Sequence, residues 1–322
     1  MTPDHRALVD DTYAEAFRSI YAEFLITARD RTWLDHAVAA VTGNASSTIL
    51  CDCEAGLDHY VGPGSASGEP TPDGRPGAVI QLHVPRFRKD RVEALERALL
   101  VRISQNVLTC PTTACFNRLD TDPYYKLGRK VAYLGDGHQF RDRRHGRPVW
   151  VVPILGGEFT IDRRFGHRDG LMGGNLWFMG ADVDAALLAA ESAAAAVLPL
   201  SGSIMPFPGG VTSSGSKAGS RYSFSVASTY ERFCPTLRDK LGEASGVPER
   251  VHSIMEIIIN GHDLPTLQAA TQAAIAASVD TPGLLRISAG NYGGRLGKSF
   301  IYLRPEKQEF TTETRRHGDG TE

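Results

Sequence analysis

The stretch Leu176–Phe207 reads LWFMGADVDAALLAAESAAAAVLPLSGSIMPF and contains a strand, a helix and a second strand. An apolar run leads through an acidic turn into an alanine-rich segment, which has the length of a helix from about Val183 to Val197. A second apolar run follows, and the turn Pro208–Gly210 leads to a third run, Tyr222–Ser228. This order predicts a β-α-β-β unit, which is typical of split βαβ folds.

The same order occurs twice more along the chain, once on each side of this stretch. Each copy has an apolar strand, a helix, a second strand and a closing strand. The N-terminal copy comprises Phe24–Ala28, Trp33–Val41, Ser47–Cys51 and Ala78–Val84, and the C-terminal copy comprises Glu256–Asn260, Leu264–Val279, Leu284–Ser288 and Ser299–Leu303. A further helix is predicted where Val92, Leu95, Leu99, Ile103 and Val107 repeat at helical spacing. The pattern predicts an α+β protein with two related ferredoxin-like (split βαβ) lobes.

The chain of 322 residues is long enough for two domains. A polar, glycine-containing segment at Leu134–Pro148 is the loosest part of the sequence, so we expect one lobe over residues 1–149 and the other over 150–307. Residues 308–322 carry too little apolar side chain to fold alone, and we expect a disordered tail there.

Composition excludes several classes of function. Lys and Arg total 35 against 37 for Asp and Glu, so no basic excess indicates a nucleic-acid partner. No run of about 18 apolar residues exists, so no membrane span is expected. The five cysteines at irregular positions and the polar N-terminus, which resembles no signal peptide, predict a cytoplasmic protein.

Glu256 begins an otherwise apolar strand, and its orientation decides its role. If the side chain faces the interior, loss of hydration raises the pKa of the carboxyl group and suits it to proton transfer near neutral pH. If strand alternation turns it outward, it is an ordinary solvated residue. The strand alone leaves both alternatives open.

Residues Gly209–Ser220 form a glycine- and serine-rich segment that approaches a phosphate-binding loop without matching one. A P-loop needs Lys directly after Gly, whereas Ser216 here stands between Gly215 and Lys217. Backbone amides together with Ser216 and Lys217 are able to hold a carboxylate or phosphate group. The alternative is a surface loop without a ligand.

Two further segments combine polar groups with turn residues. Cys110–Thr113 reads CPTT, which is typical of a helix start, and no histidine accompanies Cys110 as in a nucleophilic pair. Asn291–Arg295 reads NYGGR and offers an amide, a flat ring and a cation around glycine turns. Tyr292 is able to stack on a planar ligand, although a single loop tyrosine is usually a packing residue. The cysteines lack the spacing of a zinc site, so no metal is expected.

These segments together resemble formylmethanofuran:tetrahydromethanopterin formyltransferase. The matching segments extend from Asp10–Phe17 to Arg304; they are EAGLDHYV (54–61), TPDGRPG (71–77), LTCPTTACF (108–116), GSIMPFPGG (202–210), SGSKAGS (214–220), FCPTL (233–237), EIIING (256–261) and ISAGNYGGRLGKS (287–299). The chain departs from the family pattern by a longer insertion at Gly62–Pro70 and by a polar tail after Lys307.

The resemblance implies a homo-oligomeric enzyme, a dimer or a tetramer, with two related lobes and no metal or tightly bound cofactor. Such an enzyme moves a formyl group between the amine of methanofuran and N5 of tetrahydromethanopterin. The family's acid/base glutamate falls on Glu256. Both substrates are anionic and carry rings, so we expect them to bind through polar, cationic and aromatic groups; the candidates are Cys110, Thr112, Thr113, Gly209, Gly210, Ser216, Lys217, Asn291, Tyr292 and Arg295, with Arg221 as a further cation.

The balanced charge lacks the acidic excess of salt-adapted proteins and favours a methylotrophic bacterium over a methanogen. The resemblance then suggests transfer from formyl-tetrahydromethanopterin to methanofuran, with formylmethanofuran hydrolase subunits as partners. The alternative is a non-catalytic subunit that only scaffolds such a hydrolase. A nucleotide-binding transferase is a third possibility, which the missing P-loop and the missing dinucleotide motif disfavour.

Overall fold

A computed structural model of the protein describes residues 6–305. The helices are α1 Arg31–Thr42, α2 Arg91–Arg102, α3 Leu127–Ala132, α4 Val183–Val197, α5 Arg238–Leu241 and α6 Leu264–Ser278. The four long helices predicted from the sequence are confirmed, and residues Ile103–Val107 continue α2 as a wider turn.

An aspartate begins each of the three helices α1, α4 and α6. Asp30 accepts a hydrogen bond from the backbone N–H of Trp33, and Asp182 does the same for Ala185. Asp263 caps α6 in the same way. These carboxylates satisfy N–H groups that lack a partner inside the helix. The acidic turn of the repeated pattern is therefore the start signal of each helix.

The strands are β1 Leu8–Val9, β2 Tyr13–Thr27, β3 Glu54–Val61, β4 Gly77–Pro85, β5 Ala114–Asn117, β6 Tyr124–Tyr125, β7 Phe140–Arg144, β8 Arg147–Ile154, β9 Gly157–Asp162, β10 Phe165–Gly166, β11 Arg168–Gly180, β12 Ser203–Ile204, β13 Val211–Thr212, β14 Lys217–Ala218, β15 Ala227–Ser228, β16 Ser253–Gly261, β17 Leu284–Ser288 and β18 Ser299–Tyr302. β17 coincides with its prediction, and β4, β16 and β18 differ from theirs by a few residues at their ends.

Two predicted strands are wrong. Ser47–Cys51 forms a turn in which Leu50 is 94% exposed, and the strand begins only at Glu54. Tyr222–Ser228 is mostly an exposed turn, and only its last two residues pair. Both errors have one cause: an apolar run predicts a strand only if a neighbouring strand or core is there to cover it.

The three repeats of the sequence pattern do not fold as three units. They form two units of four strands and two helices each, and both units have the same strand order. In the first lobe the strands lie in the order β5-β2-β4-β3, and in the second in the order β17-β11-β16-β12, with antiparallel neighbours throughout. β13 continues the pairing of β12 along β16. A mixed α+β protein with two related lobes is thereby confirmed.

The long strand β2 belongs to both lobes. Its first residues pair with β18, its middle with β11, and its last residues with β4 and β5. Each lobe has its own apolar core, and Ala14 and Ala16 pack in the core of the second lobe whereas Phe24 and Ile26 pack in that of the first. The strand therefore fixes the lobes to each other through a continuous backbone.

The expected division between residues 149 and 150 stays a prediction. Trp150 lies inside β8, which pairs with β7 and β9. Phe159, Ile161 and Phe165 pack in the core of the first lobe, so this packing favours a boundary after Phe165. The predicted tail at residues 308–322 lies outside the described residues. No helix among residues 6–305 has the length and hydropathy needed to cross a membrane.

Candidate functional site

Glu256 lies inside the second lobe, on the sheet face away from the helices. Alternation along β16 turns Ile257 and Ile259 towards α4 and α6, where they join the apolar core. Glu256 therefore points to the opposite face, and only 6% of the residue is exposed. The long connection between β13 and β16 covers that face.

Two side chains of the neighbouring strand β11 hold one oxygen of this carboxyl group. Asn175 Nδ2 donates to Glu256 Oε1 at 2.7 Å, and Trp177 Nε1 donates to the same oxygen at 2.9 Å. No side chain or backbone group of the described residues donates to Oε2. Burial raises the pKa of Glu256 above its ordinary value, and the two hydrogen bonds offset part of that rise. The carboxyl group is thus anchored at one oxygen and available at the other.

An aromatic cluster lies beside this carboxyl group. The ring of Trp177 is 4.6 Å from that of Phe233 and 6.0 Å from that of Tyr230. Tyr230 in turn lies nearly parallel to Tyr292, with 5.9 Å between the ring centroids. Burial, followed by the negative charge of Glu256, raises the pKa of Tyr292. Aromatic faces of this kind are suited to hold planar ring systems.

The two glycine-rich segments meet at this cluster. The Tyr292 hydroxyl donates to the carbonyl oxygen of Ser216 at 2.9 Å. Gly290 N–H donates to Asn175 Oδ1 at 3.1 Å, so the loop is joined to the side chain that holds Glu256. The predicted residues Ser216, Tyr292 and Glu256 therefore belong to one site.

The predicted cations and Asn291 lie at the outer edge of these segments. Lys217 forms an ion pair with Glu231, on the connection that also carries Tyr230. Asn291, Arg295 and Arg221 are exposed. Among the described residues, none of these three cations forms an ion pair with Glu256.

Gly209 and Gly210 form a turn and line a cavity of about 770 Å³. Both have positive φ, 64° and 80°, which glycine adopts without strain. The cavity is also lined by residues of α1 and α4, such as Ala39, Ala194 and Ala195. It therefore opens on the helical side of the sheet, opposite to Glu256. The turn leads directly into β13, where Thr212 pairs with Glu256.

The segment Cys110–Thr113 lies far from Glu256 in the same chain. Thr113 is buried and its hydroxyl donates to the carbonyl oxygens of Val107 and Cys110. Thr112 accepts from Arg29 N–H, and Cys110 donates to the carbonyl oxygen of Trp33. Burial raises the pKa of the Cys110 thiol, which makes a reactive thiolate less favourable.

Strand register shows how far this separation extends. The residue after Thr113, Ala114, pairs with Thr27 at the end of β2, whereas Met172, three residues before Asn175 on β11, pairs with Phe17. Ten residues of strand at about 3.3 Å each span about 33 Å. The structure brings Ser216, Tyr292 and Glu256 together and leaves Cys110, Thr112 and Thr113 at the far end of the first lobe.

One group of side chains in the described part of the chain has the spacing of a metal site. The ligand atoms of Glu23, Asp58 and His262 lie within 4.8 Å of one another. Gln81 lies among them, with Nε2 2.6 Å from Asp58 Oδ2, and His262 Nε2 is 2.8 Å from Glu23 Oε2. Asp58 also accepts from Gly202 N–H. Hydrogen bonds within the protein therefore satisfy the group, which links the two lobes, and the expectation of no metal stays a prediction.

The sequence reasoning missed Asn175 and Trp177, the two side chains that hold Glu256 Oε1. Asn175 and Trp177 alternate with Leu176 and Phe178, which pack in the core of the second lobe. A polar side chain at alternate positions of an apolar strand was the available signal. That signal pointed to Glu256 only once the pairing of β11 with β16 was known.

Most of the chain matches models of one family of formyl-transferring enzymes. Residues 5–154 match the model described as formylmethanofuran-tetrahydromethanopterin formyltransferase, and residues 157–305 match the model of its proximal lobe. The chain belongs to the formylmethanofuran-tetrahydromethanopterin formyltransferase family.

Relatives and solved structures agree with this assignment. Formylmethanofuran–tetrahydromethanopterin formyltransferase of Methanosarcina acetivorans is 44% identical over 292 residues, which are 90% of this chain and 95% of that protein. The enzyme of Methanocaldococcus jannaschii is 42% identical over 301 residues, covering 92% and 96%.

Two solved structures have the same fold as this chain. The Methanosarcina barkeri formyltransferase matches with a TM-score of 0.86 and 42% identity, over 93% of this chain and 98% of that one. A chain of the formyltransferase/hydrolase complex of Methylorubrum extorquens, solved with methylofuran, matches with a TM-score of 0.83 and 36% identity, over 92% and 96%.

Proposed function

We propose that this protein transfers a formyl group between methanofuran and N5 of tetrahydromethanopterin, and that Glu256 carries the proton. One observation supports the role of Glu256 above the others. Its carboxyl group is buried, Asn175 and Trp177 fix Oε1, and Oε2 takes no hydrogen bond from the described residues. A proton therefore binds at Oε2, where a substrate nitrogen is able to reach it.

The chemistry requires one proton to move between two nitrogens. An amine attacks the formyl carbon, the new C–N bond forms, and the bond to the other carrier's nitrogen breaks. The attacking amine loses a proton and the leaving nitrogen gains one, so a single carboxyl group is able to accept the first and supply the second. Because the pKa of Glu256 is raised, the free energies of its protonated and ionised forms differ less near neutral pH.

Positioning supplies much of the remaining rate. Direct transfer needs both carriers bound at once, with the amine held close to the formyl carbon. Trp177, Tyr230, Phe233 and Tyr292 provide aromatic faces next to Glu256 for the substrate rings. Lys217 and Arg295 lie in the two adjacent glycine-rich segments, where they are suited to attract the anionic parts of the carriers.

The activity is tested by a spectrophotometric assay with purified protein and both carriers. The wild-type protein is expected to transfer formyl groups without added metal, and loss of turnover on chelation would contradict the metal-free expectation. Glu256→Gln keeps the shape but cannot titrate, so turnover should fall by roughly 10²–10⁴-fold while both carriers still bind. A wild-type protein without transfer activity would favour the scaffold subunit instead.

The physiological direction and the partners extend this proposal. The similar chain from Methylorubrum extorquens is solved in a formyltransferase/hydrolase complex. This supports methylotrophic metabolism, transfer from formyl-tetrahydromethanopterin to methanofuran, and hydrolase subunits as partners in the cytoplasm. Highly exposed apolar side chains, including Leu50 at 94% and Phe224 at 87%, support contacts in a homo-oligomer or with those subunits.

The strand order within each lobe supports a more specific fold. A strand order in which the first and third strands are central and the second and fourth lie at the edges is that of the ferredoxin-like unit. The orders β5-β2-β4-β3 and β17-β11-β16-β12 both have this arrangement. They support the assignment of both lobes as split βαβ units.

A further inference from the structure

Glu15 is a buried carboxylate on β2 that no step of the transfer reaction uses. It is 0% exposed, and among the described residues no Lys, Arg or His forms an ion pair with it. Its partners are four backbone N–H groups of the glycine-rich segment Asn291–Gly297, which we name the glycine loop. A charge this deeply buried needs such donors.

The four contacts surround both oxygens of the carboxylate. Oε1 accepts from Tyr292 N–H at 2.6 Å and from Gly294 N–H at 2.7 Å. Oε2 accepts from Leu296 N–H at 2.9 Å and from Gly297 N–H at 3.3 Å. Gly293 and Gly294 have φ of 68° and 75°, which let the backbone curl around the carboxylate.

The glycine loop connects Glu15 to the proton-carrying group from two sides. Tyr292 stacks on Tyr230 and donates to Ser216 in the other glycine-rich segment. Just before the loop, Gly290 N–H holds Asn175, which donates to Glu256 Oε1. Release of the loop from Glu15 would therefore loosen both the aromatic face and the anchor of Glu256.

We propose that Glu15 is a positioning residue for formyl transfer, acting through the glycine loop on Tyr292 and Asn175. This inference rests on the proposed role of Glu256. Glutamine cannot replace Glu15, because it has one accepting oxygen and its NH₂ group would face two N–H donors. Glu15→Gln should therefore free the loop, although the rest of the second lobe keeps its packing.

Trypsin provides a readout of the loop that does not depend on activity. Arg295 is exposed, and its neighbours Gly294, Leu296 and Gly297 are bonded to Glu15. Cleavage after Arg295 requires local opening of these bonds. Native full-length protein is digested briefly, and cleavage at Arg295 is quantified by mass spectrometry for wild type, Glu15→Gln, Glu256→Gln and Asp162→Asn.

Asp162→Asn is the matched control for loss of a buried carboxylate. Asp162 accepts a hydrogen bond from the backbone N–H of Asn117 and forms an ion pair with Arg147; both partners lie in the first lobe. Its substitution should lower the melting temperature and leave Arg295 protected and KM unchanged. Glu256→Gln should also keep Arg295 protected, because Glu256 has no bond to the glycine loop among the described residues.

We expect Glu15→Gln to speed cleavage at Arg295 by about 10-fold or more and to lower kcat by up to about 10²-fold, since misplacement by about 1 Å costs that much. Protection of Arg295 in Glu15→Gln, or faster cleavage with unchanged kcat, would overturn the proposal. Full turnover in Glu256→Gln would instead contradict the role of Glu256 and leave the loop result standing.

If Glu15→Gln does not fold, hydrogen exchange on the wild-type protein tests whether Glu15 holds the glycine loop. The amides of Tyr292, Gly294 and Leu296 should exchange as slowly as those of the neighbouring strand β18. Exchange at the rate of an exposed loop would show that Glu15 does not hold this segment.

Discussion

Glu54 and Glu256 are two buried glutamates whose surroundings differ in one respect. Burial raises the pKa of each, and hydrogen bonds offset part of the rise. Glu54 Oε1 accepts from Thr48, and its Oε2 accepts from Asn260 Nδ2 at 2.6 Å, so both oxygens are occupied. Glu256 has both donors on Oε1 and leaves Oε2 open.

This difference is the ground on which we propose Glu256, and not Glu54, as the proton carrier. Glu54 joins the first lobe to β16 of the second through Asn260, and each of its oxygens has a protein partner. Burial and a raised pKa are common to both residues and so do not identify the proton carrier. An oxygen without a partner among the described residues favours Glu256 for that role, because proton transfer needs direct hydrogen-bond contact with the substrate nitrogen.

Among substitutions in the surroundings of the two glutamates, the largest effect is expected when the anchor of Glu256 becomes a second carboxyl group. Asn175→Asp places a carboxylate about where Nδ2 now lies 2.7 Å from Glu256 Oε1. Two carboxylates this close share one proton, which keeps Glu256 from ionising independently. Turnover should fall by about 10²-fold, measured in the transfer assay, while far-ultraviolet circular dichroism stays unchanged.

Asn106→Asp is the control, since Asn106 donates one bond on the exposed surface to Ala40. It should keep wild-type turnover. If Asn175→Asp also kept it, Glu256 would not need its anchor and the contrast with Glu54 would lose its meaning.

A smaller effect, on stability and not on rate, is expected at Glu54. Glu54→Gln places an NH₂ group against Thr48 or Asn260, and an unsatisfied buried donor costs about 1–3 kcal/mol. Chemical denaturation should show this loss, whereas turnover per folded molecule should stay near wild type. A drop in turnover as large as that of Glu256→Gln would make the two sites equivalent.

The pH dependence of stability follows from the raised pKa of both groups. The folded protein binds their protons more tightly than the unfolded chain does. This contribution is fully present below the pKa of the unfolded chain, near the ordinary glutamate value of 4.5, and is lost as pH rises through the folded pKa. The slope of unfolding free energy with pH above 4.5 should therefore be less negative in Glu54→Gln than in wild type.

The smallest effect is expected at the far end of the first lobe. Thr113→Val removes a hydroxyl that donates to the carbonyl oxygens of Val107 and Cys110. The unfolding free energy should fall by about 1 kcal/mol, and KM for both carriers should not change. A raised KM would show that Cys110–Thr113 contacts substrate after all, as the sequence suggested.

The sequence predicted the elements well and their partners poorly. α4 and β17 have the predicted bounds because their length and their apolar pattern are local properties. Leu50 and Phe224 lie in predicted strands but are exposed, because no local pattern shows whether a neighbour covers a run. Apolar periodicity therefore located the helices and the core strands and overestimated the surface runs.

The residues of the candidate site also differ in whether a local sequence pattern could reveal them. Glu256 stood out as the one carboxylate of an otherwise apolar strand, and the family resemblance, not the strand pattern, suggested its acid/base role. Asn175 lies about 80 residues earlier and reaches Glu256 only through the register of β11 with β16, and Glu15 meets the glycine loop only through the fold. Cys110–Thr113 has the composition of a binding site, but the Thr113 hydroxyl donates its hydrogen bonds to backbone carbonyl oxygens nearby.

The pH dependence of turnover, compared between wild type, Glu54→Gln and Glu256→Gln, tests the central claim most directly. In wild type and Glu54→Gln, turnover should rise with pH through one ionisation whose pKa lies above the ordinary glutamate value, because the ionised carboxylate accepts the amine proton. In Glu256→Gln this ionisation should be absent from the residual activity. Its persistence in Glu256→Gln, or its loss in Glu54→Gln, would show that Glu256 is not the proton carrier.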